Sequence, residues 1–323
     1  MLASCKQQNP DKPTVGNIMM LDDELLTIID TSTDIEILAE GFVWSEGPLW
    51  LESEAKVIFS DVPQNTIYSW DEKQGKQVYL HPAGFTGNSE TGKEEGSNGL
   101  MLDTEGRLLI CQHGNRAVAK MMSALATPQD SFTFLATHFD NKKLNSPNDL
   151  CVAKDGTIFF TDPPYGLPDQ DSDIRKELSF NGVYQLSKEG NVTLIDSTMS
   201  RPNGIALSSD EKYMYVANSD KDQAIWVKYA LDGQKKVVAK TTFADKTLLV
   251  PDHKGLPDGM KINAQGYLFF TGPGGVLIFH RDGRHLGTIH TGQATSNCAF
   301  DTDQKYLYMT ADGYLMRVRM KSA

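Results

Sequence analysis

Short apolar runs alternate with polar turns along almost the whole chain, and one arrangement recurs. A polar residue with a small neighbour opens each copy. A short apolar strand follows, then a polar turn, then a second apolar strand that ends in small and polar residues. The copies open at Glu46, Asn98, Asn148, Asn203, Asp258 and Asn297, which by subtraction lie 52, 50, 55, 55 and 39 residues apart. Asp103-Thr104-Glu105-Gly106 and Lys154-Asp155-Gly156 supply hairpin turns, because Asp and Gly accept the tight backbone angles needed there. The runs around them, such as Thr157-Ile158-Phe159-Phe160 and Tyr213-Met214-Tyr215-Val216, are β-branched and aromatic. A second strand pair follows in most copies, for example Thr66–Trp70, Gly182–Leu186 and Ile225–Tyr229.

Four strands per copy at a period of ~40–50 residues is the pattern of a propeller blade. The fold class predicted is therefore all-β: a six-bladed β-propeller with a central metal site. A β-sandwich or a pair of small barrels would account for the strands but not for the same opening six times. Residues 1–17 read as a polar tether, with Pro10 and Pro13, and 18–323 as one propeller domain. Residues 18–30 are expected as a short helix or as a strand that closes the ring.

The openings carry the chemistry. In a propeller the innermost strands line the axis, so equivalent residues converge there. All six have a side-chain carbonyl or carboxylate oxygen. Hard oxygen donors suit calcium or magnesium better than zinc or copper. The two acidic members, Glu46 and Asp258, would together balance one divalent cation. The competing reading is that Asn98-Gly99, Asn203-Gly204 and Asp258-Gly259 are ordinary turns. That reading accounts poorly for Glu46, for Asn148-Asp149 and for Asn297-Cys298.

Composition narrows the partners. The 323 residues are 40% hydrophobic and 23% charged, an ordinary globular balance. The net charge of -11 repels phosphate backbones, so nucleic acid is not an expected partner. No run reaches the ~20 apolar residues of a membrane helix. Cys5, Cys111, Cys151 and Cys298 are too scattered for a disulfide framework, and the last three are expected in the core. Leu2-Ala3-Ser4-Cys5 resembles the end of a bacterial lipoprotein signal. Cys5 is thus a candidate lipid anchor. It would place the protein in the periplasm or on a membrane; without it the cytoplasm is expected. No GxSxG elbow or glycine-rich phosphate loop is present, which disfavours a covalent serine hydrolase and a nucleotide enzyme.

Five segments carry a resemblance to the gluconolactonase and regucalcin family. They are Glu46–Trp50, Ser146–Leu150, Thr161–Gly166, Arg201–Gly204 and Leu256–Met260, and the likeness extends over about residues 40–318. The resemblance implies a six-bladed propeller that hydrolyses sugar lactones with a bound divalent metal. Calcium is the first candidate, with magnesium, manganese, zinc or iron as alternatives. It implies Glu46, Asn203 and Asp258 as metal ligands and Asn148 as a fourth ligand or a substrate contact. Asp258 also matches the family's proton-transfer residue, with the neighbouring Asp149 a second candidate base. Some relatives have an arginine where Ser146 stands here, and Glu177 falls near a substrate-contacting glutamate of some members. From their places near the axis, Asn98, His113 and Tyr165 join Asn148 as candidate substrate contacts. The segment 167–180 reads as a rim loop. Organophosphate hydrolases related to diisopropyl fluorophosphatase, paraoxonase-like lactonases, a non-catalytic calcium-binding propeller and a quinone-dependent sugar dehydrogenase are the alternatives on the same scaffold.

Overall fold

A computed structural model describes residues 12–87 and 93–321. Its main sheets are six antiparallel blades around an axis. The inner strands are Ser45–Leu51, Ser97–Leu102, Leu150–Val152, Pro202–Leu207, Met260–Ile262 and Thr295–Phe300, in blades 1 to 6.

Period-two alternation builds the core. Neighbouring residues of one strand point to opposite faces of a blade, so each face feeds a different interface. Phe159 packs between blades 3 and 4, whereas Phe160 packs between blades 2 and 3. Phe269 and Phe270 divide in the same way between the blade 5–6 and blade 4–5 interfaces. Val57 and Phe59 face blade 6 and Ile58 faces blade 2. Cys111, Cys151 and Cys298 are buried and unpaired in these interfaces, as expected.

The ring is closed from the N-terminal side. Ile35–Glu40 forms the outer strand of blade 6, with Ile35 opposite Val318 and Glu40 opposite Tyr314. The closing strand thus lies downstream of residues 18–30. Asn17–Met20 instead adds a fifth strand to blade 5, and a 3₁₀ turn follows at Asp23–Thr27. Thr14–Val15 pairs with Ile35–Glu36, so the part of the expected tether at residues 14–17 is largely bound into sheets. Both additions satisfy edge backbone groups that would otherwise be left open. The candidate anchor at Cys5 lies outside the described residues.

A second set of bonds joins the inner strands around the axis. The Ser60 hydroxyl donates to the Asn98 carbonyl (2.9 Å), Gly99 N to the Asn148 carbonyl (2.8 Å) and the Thr161 hydroxyl to the Asn203 carbonyl (2.7 Å). Gly259 N donates to the Ser296 carbonyl (2.7 Å), and the Ser296 hydroxyl to the Ser45 carbonyl (2.6 Å). Blades approach so closely here that the glycines after four of the openings, Gly47, Gly99, Gly204 and Gly259, have no room for a side chain. A Cβ on Gly204 would lie 2.2 Å from the Asp258 carbonyl oxygen, and one on Gly259 would lie 1.9 Å from Asn297 Cγ. Gly204→Ala is therefore expected to cost about 1–3 kcal/mol through overpacking against backbone, which a thermal melt measures. A melt equal to that of the unchanged protein would contradict this packing.

Candidate active site

The opening residues are not turns. Asn98-Gly99 and Asn203-Gly204 lie inside strands, and Asp258-Gly259 immediately precedes one. Strand pairing slips at the openings, between Glu46 and Leu49, Ser97 and Leu100, Pro202 and Ile205, and Thr295 and Asn297. Such bulges re-aim side chains out of the regular alternation. Here five of the six opening residues, Glu46, Asn98, Asn148, Asn203 and Asp258, line one cavity of ≈ 480 Å³. Trp44, Glu94 and Tyr165 are also in its wall.

In blades 1, 3 and 4 the backbone before the opening is fixed by the last residue of the second strand. Asp61 accepts from Val43 N (3.0 Å) and Trp44 N (3.2 Å) ahead of Glu46. Asp162 accepts from Asn145 N (2.8 Å) and Ser146 N (2.7 Å) ahead of Asn148. The Asn218 side-chain oxygen accepts from Arg201 N (2.9 Å) ahead of Asn203. The donors at the axis are thus held by strands rather than by mobile loops.

The electrostatics are those of a site short of positive charge. Glu46 is 2% exposed, and burial raises its pKa to about 8 against the bonds it accepts from Gly47 N, Trp44 and Asn297. Burial first, then the Glu46 and Asp149 carboxylates, push Asp258 well above the usual carboxylate range. Asn148 Oδ1 and Asp258 Oδ1 are buried and accept no hydrogen bond. Unpaired buried oxygens of this kind cost stability unless something electropositive meets them. Among the described residues, no three His, Cys, Asp or Glu side chains gather as a metal-binding group. The opening residues at the cavity supply two carboxylates and three amides, whose oxygens are the donor chemistry of a hard cation.

Asn297 differs from the other openings. Its oxygen accepts from Cys298 N (2.9 Å), and its side chain bonds the Glu46 and Asp149 carboxylates instead of lining the cavity. Asp149 accepts from Leu150 N (2.9 Å) and Ile205 N (3.4 Å). It brackets the backbones of blades 3 and 4 and is not in the cavity wall, whereas Asp258 is.

His113 is fully buried and also outside the wall. Its Nδ1 lies 3.2 Å from the Glu94 carbonyl oxygen, which can only accept, so Nδ1 carries the proton. Burial lowers its pKa to about 4, so the ring is neutral at pH 7. His113 therefore supports the wall from behind rather than meeting a ligand as expected. Glu177 is exposed, and its carboxylate accepts from Lys143 N (2.8 Å) away from the cavity. No residue of 167–180 is in the cavity wall, whereas Tyr165, just before it, is. Trp44 and Glu94 were not singled out from the sequence. Trp44 lies two residues before an opening, and Glu94 sits in a charged stretch that reads as a solvated turn.

Fold and site together define a six-bladed propeller whose axial cavity is ringed by oxygen donors in or just before its inner strands. Residues 44–313 match the SMP-30/Gluconolactonase/LRE-like region, and the chain belongs to that family. It is 39% identical to a gluconolactonase of Zymomonas mobilis subsp. mobilis, over 99% of this chain and 90% of that one. A solved gluconolactonase from Xanthomonas campestris superposes with a TM-score of 0.81 at 30% identity, over 97% of this chain and 99% of that chain. A calcium-binding protein, regucalcin, from Agrobacterium tumefaciens shares the fold, with a TM-score of 0.68 at 17% identity over 98% of both chains.

Proposed function

We propose that this lactone hydrolase opens sugar lactones, glucono-δ-lactone being the first candidate, with one divalent cation held by Glu46, Asn148, Asn203 and Asp258. The observation that carries the reading is the pair of buried carboxylates and the unpartnered amide oxygen on one cavity. Calcium is the first candidate ion, since all the donors are oxygen and the regucalcin that shares this fold is named as calcium-binding. When bound, the cation would supply positive charge where the lactone carbonyl oxygen becomes negative.

The chain's own residues do the rest. Asp258 Oδ1 faces the cavity without a donor and takes a proton from the attacking water. The water oxygen bonds to the carbonyl carbon, and the bond from that carbon to the ring oxygen breaks. Asp258 returns its proton to the ring oxygen, which leaves as a hydroxyl. The new carboxylic acid loses its own proton to solvent. Asn98 and Asn148 orient the carbonyl and the adjacent hydroxyl, and Tyr165 offers a flat wall to the ring. Trp44 holds Glu46 through a side-chain hydrogen bond.

Acid release in a pH-stat tests the reading with glucono-δ-lactone, an acyl-homoserine lactone and a fluorophosphate as substrates. The sugar lactone should be turned over fastest. Chelation should abolish turnover, and calcium or another divalent ion should restore it. Faster turnover of the fluorophosphate, or full activity after exhaustive chelation, would overturn the reading.

A further inference from the structure

We propose that Glu94 binds hydroxyl groups of the sugar lactone at the cavity wall and sets the preference for polyhydroxylated over unsubstituted lactones. This rests on the lactonase reading above and assigns a specificity-determining residue to the same cavity.

Three observations place Glu94 there. It lines the cavity together with Asn98, Tyr165 and Asp258. Its charge is felt by both Asp258 and Tyr165, so its carboxylate lies within electrostatic reach of the reacting end and of the aromatic wall. Among the described residues no hydrogen-bond donor is recorded on that carboxylate, and burial alone raises its pKa to about 7. A carboxyl group partly shielded from water and without a protein donor is open to a ligand that brings O–H groups into the cavity.

The backbone around Glu94 is held firmly enough to make such a contact selective. His113 Nδ1 donates to the Glu94 carbonyl oxygen (3.2 Å), and Gly114 N to the Glu95 carbonyl oxygen (3.0 Å). His113 N donates to the Gly96 carbonyl oxygen (3.1 Å), and Gly96 N to the Val62 carbonyl oxygen (2.9 Å). Residues 94–96 are thus tied to the second hairpin of their own blade and to the preceding blade. This gives the buried His113 a role as a positioning residue. Sites that bond a substrate hydroxyl discriminate against analogues lacking it, because the polar group is then left unpaired. Glu94 is only part-buried, so the discrimination should be below the limit reached in sealed pockets.

The test compares glucono-δ-lactone with δ-valerolactone, which has the same ring and no hydroxyls, in the unchanged protein, Glu94→Gln and Glu94→Ala. All are assayed at saturating calcium. In Glu94→Ala the ratio of kcat/KM for the hydroxylated over the bare lactone should fall roughly ten- to a hundredfold, mainly through KM. Glu94→Gln keeps an acceptor oxygen and the side-chain length, so it should recover part of the ratio and controls for folding. An unchanged ratio in both variants overturns the inference while leaving the lactonase reading intact. So do equal losses on both lactones, or a weaker calcium affinity in Glu94→Gln, which would make Glu94 a ligand instead. If the unchanged protein opens neither lactone, the lactonase reading fails and this inference falls with it.

Discussion

Asp258→Asn is expected to lower kcat on a sugar lactone by about 10²–10⁴-fold, the usual worth of a positioned proton acceptor, while the protein stays folded. The amide has the size of the carboxylate and keeps one oxygen toward the cavity, but it cannot accept a proton from water. Stability should move the other way in the cation-free protein. There Asp258 is pushed well above the ordinary carboxylate range by burial and by the Glu46 and Asp149 carboxylates. Asparagine is neutral without taking up a proton, so the cost of keeping a carboxyl group in that setting is gone and the melting temperature should hold or rise. Kinetics at saturating cation and a melt of the stripped protein check the two halves. A variant that keeps more than half of kcat would take Asp258 out of the chemistry. A loss of activity accompanied by a large drop in melting temperature would point to unfolding instead.

The second large effect is on the melt itself. A cation that binds only the folded protein adds roughly 2.7 kcal/mol of stability at a hundred times its dissociation constant. The stripped protein should therefore melt several degrees higher when calcium is added. The cause is local. Glu46 is raised to about 8 by burial, and the unpartnered Asn148 and Asp258 oxygens face the same cavity, so the folded state carries a cost that the ion removes. Glu46→Gln should shrink the shift because half of the anionic charge is gone, although the side chain still fits. Differential scanning calorimetry of both proteins, with and without calcium, measures it. No shift with any divalent ion would remove the metal from the account.

Much of this was legible in the chain. The six openings were readable because each repeats a donor at the same place before an apolar strand, and five of them do reach the cavity wall. The small polar ends of the second strands were visible too. Their role was not: Ser60 and Thr161 reach across to carbonyls of the next blade, which no pattern within one repeat can show. Glycine after the opening residue suggested a turn, because backbone freedom and lack of space leave the same mark in a sequence. The structure shows lack of space at Gly204 and Gly259. Asn297 lacks that glycine and is followed by the buried Cys298, and it is the opening that turns away from the cavity. His113 was read as a ligand contact from its place near the axis, and Glu177 was set near one by the family resemblance. The first is covered by the loop it supports, and the second accepts from Lys143 N in the hairpin between blades 2 and 3. Glu94 was invisible because a loop carboxylate usually faces water.

The outer strand of blade 6 has a consequence for how the protein is made. Ile35–Glu40 pairs with Tyr314–Val318, and Ile35 must wait for Val318, which by subtraction lies 283 residues further along the chain. Blades 1 to 4 take their strands from consecutive chain and can zip up during synthesis. The final seam forms only once residues 314–318 have been made, so a chain cut short of Tyr314 is left as an open arc with two raw edges.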